Sequence, residues 1–167
     1  MRYLKFFLIG LIVLYILLTG IGLLMPSSVT VGRSVEINAP IDSVRFYTND
    51  PVNWRYWING ADTAYFKQLT NTTTEKNSKI KLGTYTITIL DNDPKYIITS
   101  WQGESAREQL NRLDLYNSST GVTIINWSFQ QHLNWYFWER LSAMLRDKVF
   151  GPSMEASLNK LKQVCEK

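Results

Sequence analysis

Val29-Thr30-Val31-Gly32-Arg33-Ser34-Val35-Glu36-Ile37-Asn38-Ala39-Pro40 is the stretch that decides how the chain is read. Val29, Val31, Arg33, Val35 and Ile37 alternate with Thr30, Gly32, Ser34, Glu36 and Asn38, the period of two of a strand with one buried face. Pro40 then suits the first turn of a helix, and Asp42 puts negative charge near that helix's N-terminus. The helix is predicted to run to about Asn49. Asp50 is placed to cap a second short helix that begins at Pro51 and carries Trp54 and Trp57.

Upstream lies Phe6 to Met25 (FFLIGLIVLYILLTGIGLLM), an almost wholly apolar run closed by Pro26. As a helix rising about 1.5 Å per residue it spans roughly 30 Å, the thickness of a bilayer's hydrocarbon core. A retained anchor and a cleaved signal peptide both start this way. Signal peptides have a shorter apolar core and a small-x-small cleavage site. Here Thr19, Gly20 and Gly22 sit inside the run and bulky Leu24 and Met25 end it, which favours the anchor. Arg2 and Lys5 precede the span and only Arg33 follows closely. The positive-inside rule then places the N-terminus in the cytoplasm and the remainder outside. The expected organisation is an N-terminus and anchor over residues 1–26 and one domain over 27–167, a single domain by size.

Downstream, strands are expected from about Thr63. Thr70 to Lys79 (TNTTTEKNSK) reads as a polar loop. Tyr85, Ile87 and Ile89 face one way, with Thr84, Thr86 and Thr88 on the other. Asp91-Asn92-Asp93-Pro94 is a turn signal. Tyr96 to Gln102 and Gln109 to Tyr116 follow, the second with imperfect alternation that suggests a bulge. Asn117 to Gly121 turns the chain into Val122 to Gln131, with Ile125, Trp127 and Phe129 on one face. Leu141, Met144, Leu145 and Val149, then Met154, Leu158 and Leu161, have helical spacing. Gly151-Pro152 is expected to kink or break that helix. An antiparallel sheet with one buried face needs a cover, and only the C-terminal helix is long enough. The fold class is therefore α+β, a curved antiparallel sheet of six or seven strands around a long C-terminal helix.

The chain's net charge is +4, and setting aside Arg2 and Lys5 leaves +2, too weak and too scattered for nucleic-acid binding. Cys165 is the only cysteine and His132 the only histidine, so there is no disulfide, no redox pair and no metal-spaced Cys/His set. No metal or cofactor is expected. Neither residue has a nucleophile or base partner motif beside it. His132 reads as a loop or rim residue and Cys165 as part of a frayed terminus.

The residues Val31 to Pro40, then Val44, then Asn49-Asp50-Pro51-Val52-Asn53-Trp54 with Trp57, carry a resemblance. So do Gly121-Val122-Thr123 before Trp127, and Leu158-Asn159-Lys160-Leu161-Lys162 near the end. On these the chain resembles the START-like, or polyketide cyclase and lipid-transport, superfamily with the helix-grip fold, and in particular its membrane-anchored bacterial members. The resemblance covers nearly the whole chain. It implies a sheet that grips the C-terminal helix with an apolar cavity between them, and a bacterial inner-membrane location with the domain outside the cytoplasm. None of the motifs is specific for an activity.

Within that fold the expected cavity wall is Val35, Ile37, Tyr85, Ile87, Trp101, Ile125, Trp127, Phe129, Met144 and Leu145, with Arg33 and Asp114 as polar anchors. Arg33 shares the inward face of the first strand, so it needs a partner. Glu104, Glu108 and Asp114 are candidates for an ion pair, and a ligand carboxylate is the other reading. Trp54, Tyr56 and Trp57 are expected to pack where the short helices meet the long one. Four consecutive aromatics, Trp135 to Trp138, cannot all face one core. They follow the last strand, whose end is expected beside the start of the first, close to the anchor. Trp135, Tyr136 and Trp138 are thus either a belt at the lipid headgroups or ordinary packing at the cavity mouth. Three functions stay open: a membrane-tethered module binding a lipid-like or other apolar small molecule, a protein-interaction module with a filled core, and a cyclase- or dehydratase-type enzyme. The last needs an acid-base pair in the cavity. The expected partners are the bilayer and a hydrophobic small molecule, with no nucleic acid.

Overall fold

The apolar run forms α1 (Arg2–Leu24), and the alternating stretch forms β1 (Ser28–Ile37). The computed structural model describes residues 2–104, 107–118 and 121–167, and of Arg2 and Met144 the backbone alone. After β1 come α2 (Ile41–Thr48), a 3₁₀ helix (Pro51–Tyr56), β2 (Phe66–Gln68), β3 (Lys79–Leu82), β4 (Tyr85–Asp93), β5 (Tyr96–Gly103), β6 (Gln109–Asn117), β7 (Thr123–His132) and α3 (Phe137–Cys165). Among the described residues the strands make one seven-stranded antiparallel sheet in the order β1-β7-β6-β5-β4-β3-β2. The chain crosses from one edge to the other only once, after β1, through α2 and the 3₁₀ helix.

The start signals lie within a residue of where the sequence puts them. Pro40 is the N-cap of α2, one position earlier than expected. The Asp50 carboxylate accepts the Val52 N–H at 3.0 Å and caps the 3₁₀ helix, whose first residue is Pro51. Two sequence expectations fail in the meander. The strand continues through Asp91 to Asp93 instead of turning there, and its register slips between Ile89 and Asp91. The turn is held by the Asp93 carboxylate accepting the Lys95 N–H. β6, where a bulge was expected, pairs regularly over its length. Its alternation looks imperfect because Gln109 and Asn111 occupy inward positions.

α3 is also unbroken through Gly151-Pro152. Gly151 is there for space: a Cβ on it would collide with the Arg33 guanidinium that crosses beneath the helix. Pro152 leaves one intrahelical acceptor without its donor, but the helix is held along its length by the sheet.

The core lies between the concave sheet face and the C-terminal half of α3. Met154, Leu158 and Leu161 of α3 meet Val31 and Ile37 of β1, Ile125 of β7, Leu113 and Leu115 of β6 and Ile97 of β5. Trp54 and Trp57 are fully buried and close one end. Their ring N–H groups donate to the Thr48 and Tyr47 carbonyls at 2.8 and 2.9 Å, so both indoles are buried without an orphan donor. Tyr56 is exposed, unlike its two neighbours.

The last turn of α1 is docked on the start of α3. Leu133 N–H donates to the Ser27 carbonyl at 2.8 Å, next to the Ser28–His132 pair that begins the β1–β7 ladder. Gly22 is buried there, and a Cβ on it would lie 3.1 Å from Phe137 Cα and 3.2 Å from the Trp135 carbonyl oxygen. α1 is long and apolar enough to cross a membrane.

Candidate functional site

The sheet and α3 do not close completely. A cavity of about 220 Å³ remains between them. It is built from inward positions of four neighbouring strands: Tyr85 of β4, Trp101 of β5, Gln109 and Asn111 of β6, and Trp127 and Phe129 of β7. Register brings them together, since Trp101 pairs with Gln109 and Asn111 with Phe129. α3 supplies Phe150, Ser153, Met154 and Ser157, and the segment after the 3₁₀ helix supplies Ile58 and Asn59. That segment is pinned to α3 by the Asn59 N–H donating to the Ser157 hydroxyl at 3.0 Å.

The walls are rigid aromatics. Trp101 stacks on Trp54 with ring centroids 5.7 Å apart and tilts against Tyr85 at 5.8 Å. Trp127 meets Trp57 edge-on at 5.6 Å, and Phe129 meets Phe150 at 5.0 Å. The polar part is small and uncharged. The Trp127 ring N–H donates to the Asn111 Oδ1 at 3.2 Å, which fixes the indole and leaves the Asn111 NH₂ group to the cavity. Among the described residues the Gln109 side-chain amide has no partner, although the residue is buried. Among the described residues that line the cavity, no side chain is charged. Tyr85, Trp101, Ile58 and Asn59 also wall an adjoining cleft of about 350 Å³ that runs to Ala64, Leu82 and Gly83. Those four residues are the partition between the two spaces.

Of the residues expected to form the wall, Tyr85, Trp101, Trp127 and Phe129 do so. Ile37, Ile87 and Ile125 face the same way but are fully buried in the core, and Val35 packs against that core. Leu145 is exposed on the far side of α3. The Met144 side chain lies outside the described residues. Asp114 is on the outer face of the sheet, engaged by Arg112 at 2.7–2.9 Å, because inward positions in β6 fall on odd numbers. Arg33 does face α3, but its partners are Asp147 at 2.8 Å and Glu155 at 2.6 Å rather than Glu104, Glu108 or Asp114. Its hydrogen bond to Asp147, then that to Glu155, holds the guanidinium above its ordinary pKa, and the same bond holds the Asp147 carboxyl below the usual range. Arg33 is therefore a strap between β1 and α3 and is not among the residues that line the cavity.

His132 ends β7 exposed, in an open groove of about 600 Å³ with Arg107, Leu110 and Gln130. These are outward positions, away from the gap between sheet and helix. Burial, with the neighbouring Glu166 charge, pushes the half-buried Cys165 thiol up to about 11. Trp135 and Trp138 are exposed, and Tyr136 lies between their rings, 4.5 and 5.0 Å away. Sequence reasoning missed the polar lining, Gln109, Asn111, Ser153 and Ser157. The irregular alternation of β6 was their signal, since polar residues at inward strand positions mark a wall that is not filled core.

Comparisons with known proteins agree with this geometry. The family described as polyketide cyclase/dehydrase and lipid transport matches residues 28–166. A protein of Nitrosospira multiformis has a similar structure, with a TM-score of 0.65 at 13% identity over 81% of this chain and 95% of that one. A START superfamily protein of Mycobacterium smegmatis gives 0.61 at 14% identity, over 83% and 97%. Protein CV1439 of Chromobacterium violaceum gives 0.59 at 16%, over 85% and 99%. At these identities the structures speak for the fold alone. No curated protein matches the sequence. The family match spans every strand and all of α3 to within a residue of the C-terminus, and the chain belongs to the polyketide cyclase/dehydrase and lipid-transport family.

Proposed function

We propose that the protein is a membrane-tethered binding module that holds an uncharged, largely apolar small molecule between the concave sheet and α3. The observation that carries this is the cavity's lining among the described residues: aromatic walls, the Asn111 NH₂ and the Gln109 amide without partners, and no charged side chain. Apolar walls supply the affinity, and a few convergent polar groups fix orientation. A carboxylate or ammonium ligand would be buried there without a counter-charge, at high cost. The cavity alone is below the roughly 300–1,000 Å³ of typical small-molecule sites. With the adjoining cleft it enters that range, so the bound molecule reaches past Tyr85 and Trp101.

Residues 1–26 serve as the anchor and residues 27–167 as the binding domain. The flanking charges, Arg2 and Lys5 against Arg33, support a domain outside the cytoplasm, and the resemblance to membrane-anchored bacterial members supports the inner membrane as its location. A C-terminal alkaline phosphatase fusion is then active and a C-terminal green fluorescent fusion dark. The opposite pair of results reverses the topology.

Binding is tested by native mass spectrometry and organic extraction of the full-length, detergent-solubilised protein. A co-purifying neutral molecule is expected, and Ser157→Phe, which fills the cavity from α3, loses it. Ligand-free wild type that also takes up no added neutral lipid would favour the interaction module with a filled core.

A further inference from the structure

We propose that the first half of α3 lies in the headgroup layer of the bilayer, seated by the stripe Trp138, Leu141, Leu145 and Val149. This rests on the reading that α1 spans a membrane. The four residues are spaced by three, four and four, which is one face of a helix. All are exposed, at 47–66% of their surface. The opposite face of the same segment holds Arg140, Asp147 and Gly151, which engage α1, Arg33 and β1. The stripe therefore points away from the domain, and nothing among the described residues covers it. Ser142, the one polar residue within it, turns its hydroxyl back onto the Glu139 carbonyl at 2.7 Å.

The occupant follows from where the stripe begins. Trp138 is the residue after Phe137, whose backbone packs on Gly22 in the last turn of α1. Arg140 and the Leu133–Ser27 hydrogen bond fix the same junction. The stripe thus starts where α1 leaves the hydrocarbon and runs on for about 16 Å at 1.5 Å per residue. Exposed Trp135 and Trp138 bring rings that prefer the interface, and Lys148 beside the stripe has a stem long enough to keep its ammonium among headgroups. An amphipathic helix at this level is stabilised by burying its apolar face at the acyl boundary. One turn beyond Val149 is Ser153, which lines the cavity with Phe150. Seating the stripe brings this end of the cavity within about one helical turn of the lipid-facing segment, a short path for an apolar ligand.

The test uses the full chain with Cys165→Ser, reconstituted in vesicles of phosphatidylethanolamine and phosphatidylglycerol. Single cysteines at Leu145, Val149, Gln163 and Ile12 carry a nitroxide whose collisions with oxygen and with a water-soluble nickel chelate are read separately. Labels at 145 and 149 are expected to gain oxygen and lose nickel collisions relative to 163, and the label at 12 to lose nickel collisions altogether. Nickel access at 145 and 149 equal to that at 163, with 12 deeply shielded, overturns the proposal and leaves the anchor standing. Nickel access at 12 overturns both. Shielding of 145 and 149 from both reagents, with dipolar broadening, shows that a second copy covers the stripe and overturns the lipid assignment.

Discussion

The Arg140 guanidinium donates to the Gly22 carbonyl oxygen at 2.6 Å, 118 residues away in sequence, and to those of Met25 at 2.6 Å and Leu23 at 3.2 Å. An α-helix leaves its last carbonyls without donors, and its C-terminal end is the negative end of the dipole. A cation supplied by α3 satisfies both conditions at the end of α1, and the same side chain donates to the Asn134 carbonyl at 3.0 Å. The junction between α1 and the domain is thus a clamped joint.

Arg140→Met should release it. A hydrogen bond to a charged group contributes about 1.5–3 kcal/mol, so loss of three acceptors' partner frees the α1 terminus even if solvent recovers part of it. The expected outcome is faster amide exchange at Leu133 and faster proteolysis around Pro26 to Ser28, with the sheet amides unchanged. Gly22→Ala should act alike, because its Cβ meets backbone atoms that cannot move aside. Unchanged protection at Leu133 in both variants would refute the clamp.

Trp127 joins core and cavity. It is 7% exposed, packs edge-on against Trp57 and hydrogen-bonds Asn111. Trp127→Ala should cost on the order of 3–5 kcal/mol in chemical denaturation. A loss below about 1 kcal/mol would mean that β7 is one residue out of register.

The Arg33–Asp147 pair gives an acid-sensitive link between β1 and α3. Asp147 has a folded pKa below its unfolded value of about 3.9, chiefly through the Arg33 hydrogen bond. A depressed carboxyl contributes stability that is present in full above the unfolded pKa and is lost as pH falls through the folded one. The melting temperature of the wild type should therefore exceed that of Asp147→Asn near neutral pH, with the gap closing below pH of about 3.9. A gap constant with pH would assign the effect to something other than this pair. Because the pair is open to water, the gap is expected to be small and to shrink in salt.

The fold was legible because its signals are local. The Val29 to Ile37 alternation, the Asp50-Pro51 cap and the helical spacing of Met154, Leu158 and Leu161 each act over a few residues. Partners brought from far along the chain were not legible. Arg33 faces inward as its position implies, but its acceptors are 114 and 122 residues away on a helix whose rotation no local pattern sets. Asp114 was misplaced for a related reason. β6 carries polar residues on both faces, so charge gave no guide to which face is inside. Arg140 escaped notice because a lone arginine in an amphipathic helix carries no sign of the carbonyls it will meet.

Trp101 and Tyr85 stand between the cavity under α3 and an adjoining, more open cleft bounded by residues 58–64 and by Leu82, Gly83 and Thr84. Trp101 is held by stacking on Trp54 and by its ring N–H donating to the Thr99 hydroxyl at 3.0 Å. Removing the indole should merge the two spaces without disturbing Trp127, Phe129 or α3. Trp101→Ala is expected to cost less than Trp127→Ala, since Trp101 is only half-buried and its loss opens a space toward solvent instead of an enclosed void. The variant should bind larger neutral molecules than the wild type, read as a shift to higher mass in the co-purifying material or in uptake from a mixed neutral-lipid extract. Asn111→Asp, which keeps the volume and the acceptor for the Trp127 ring N–H but removes the NH₂ donor, should weaken binding without changing the size limit. If Trp101→Ala leaves the mass of the bound molecule unchanged, the cleft takes no part in binding, and the ligand is confined to the cavity bounded by Gln109, Asn111 and Trp127.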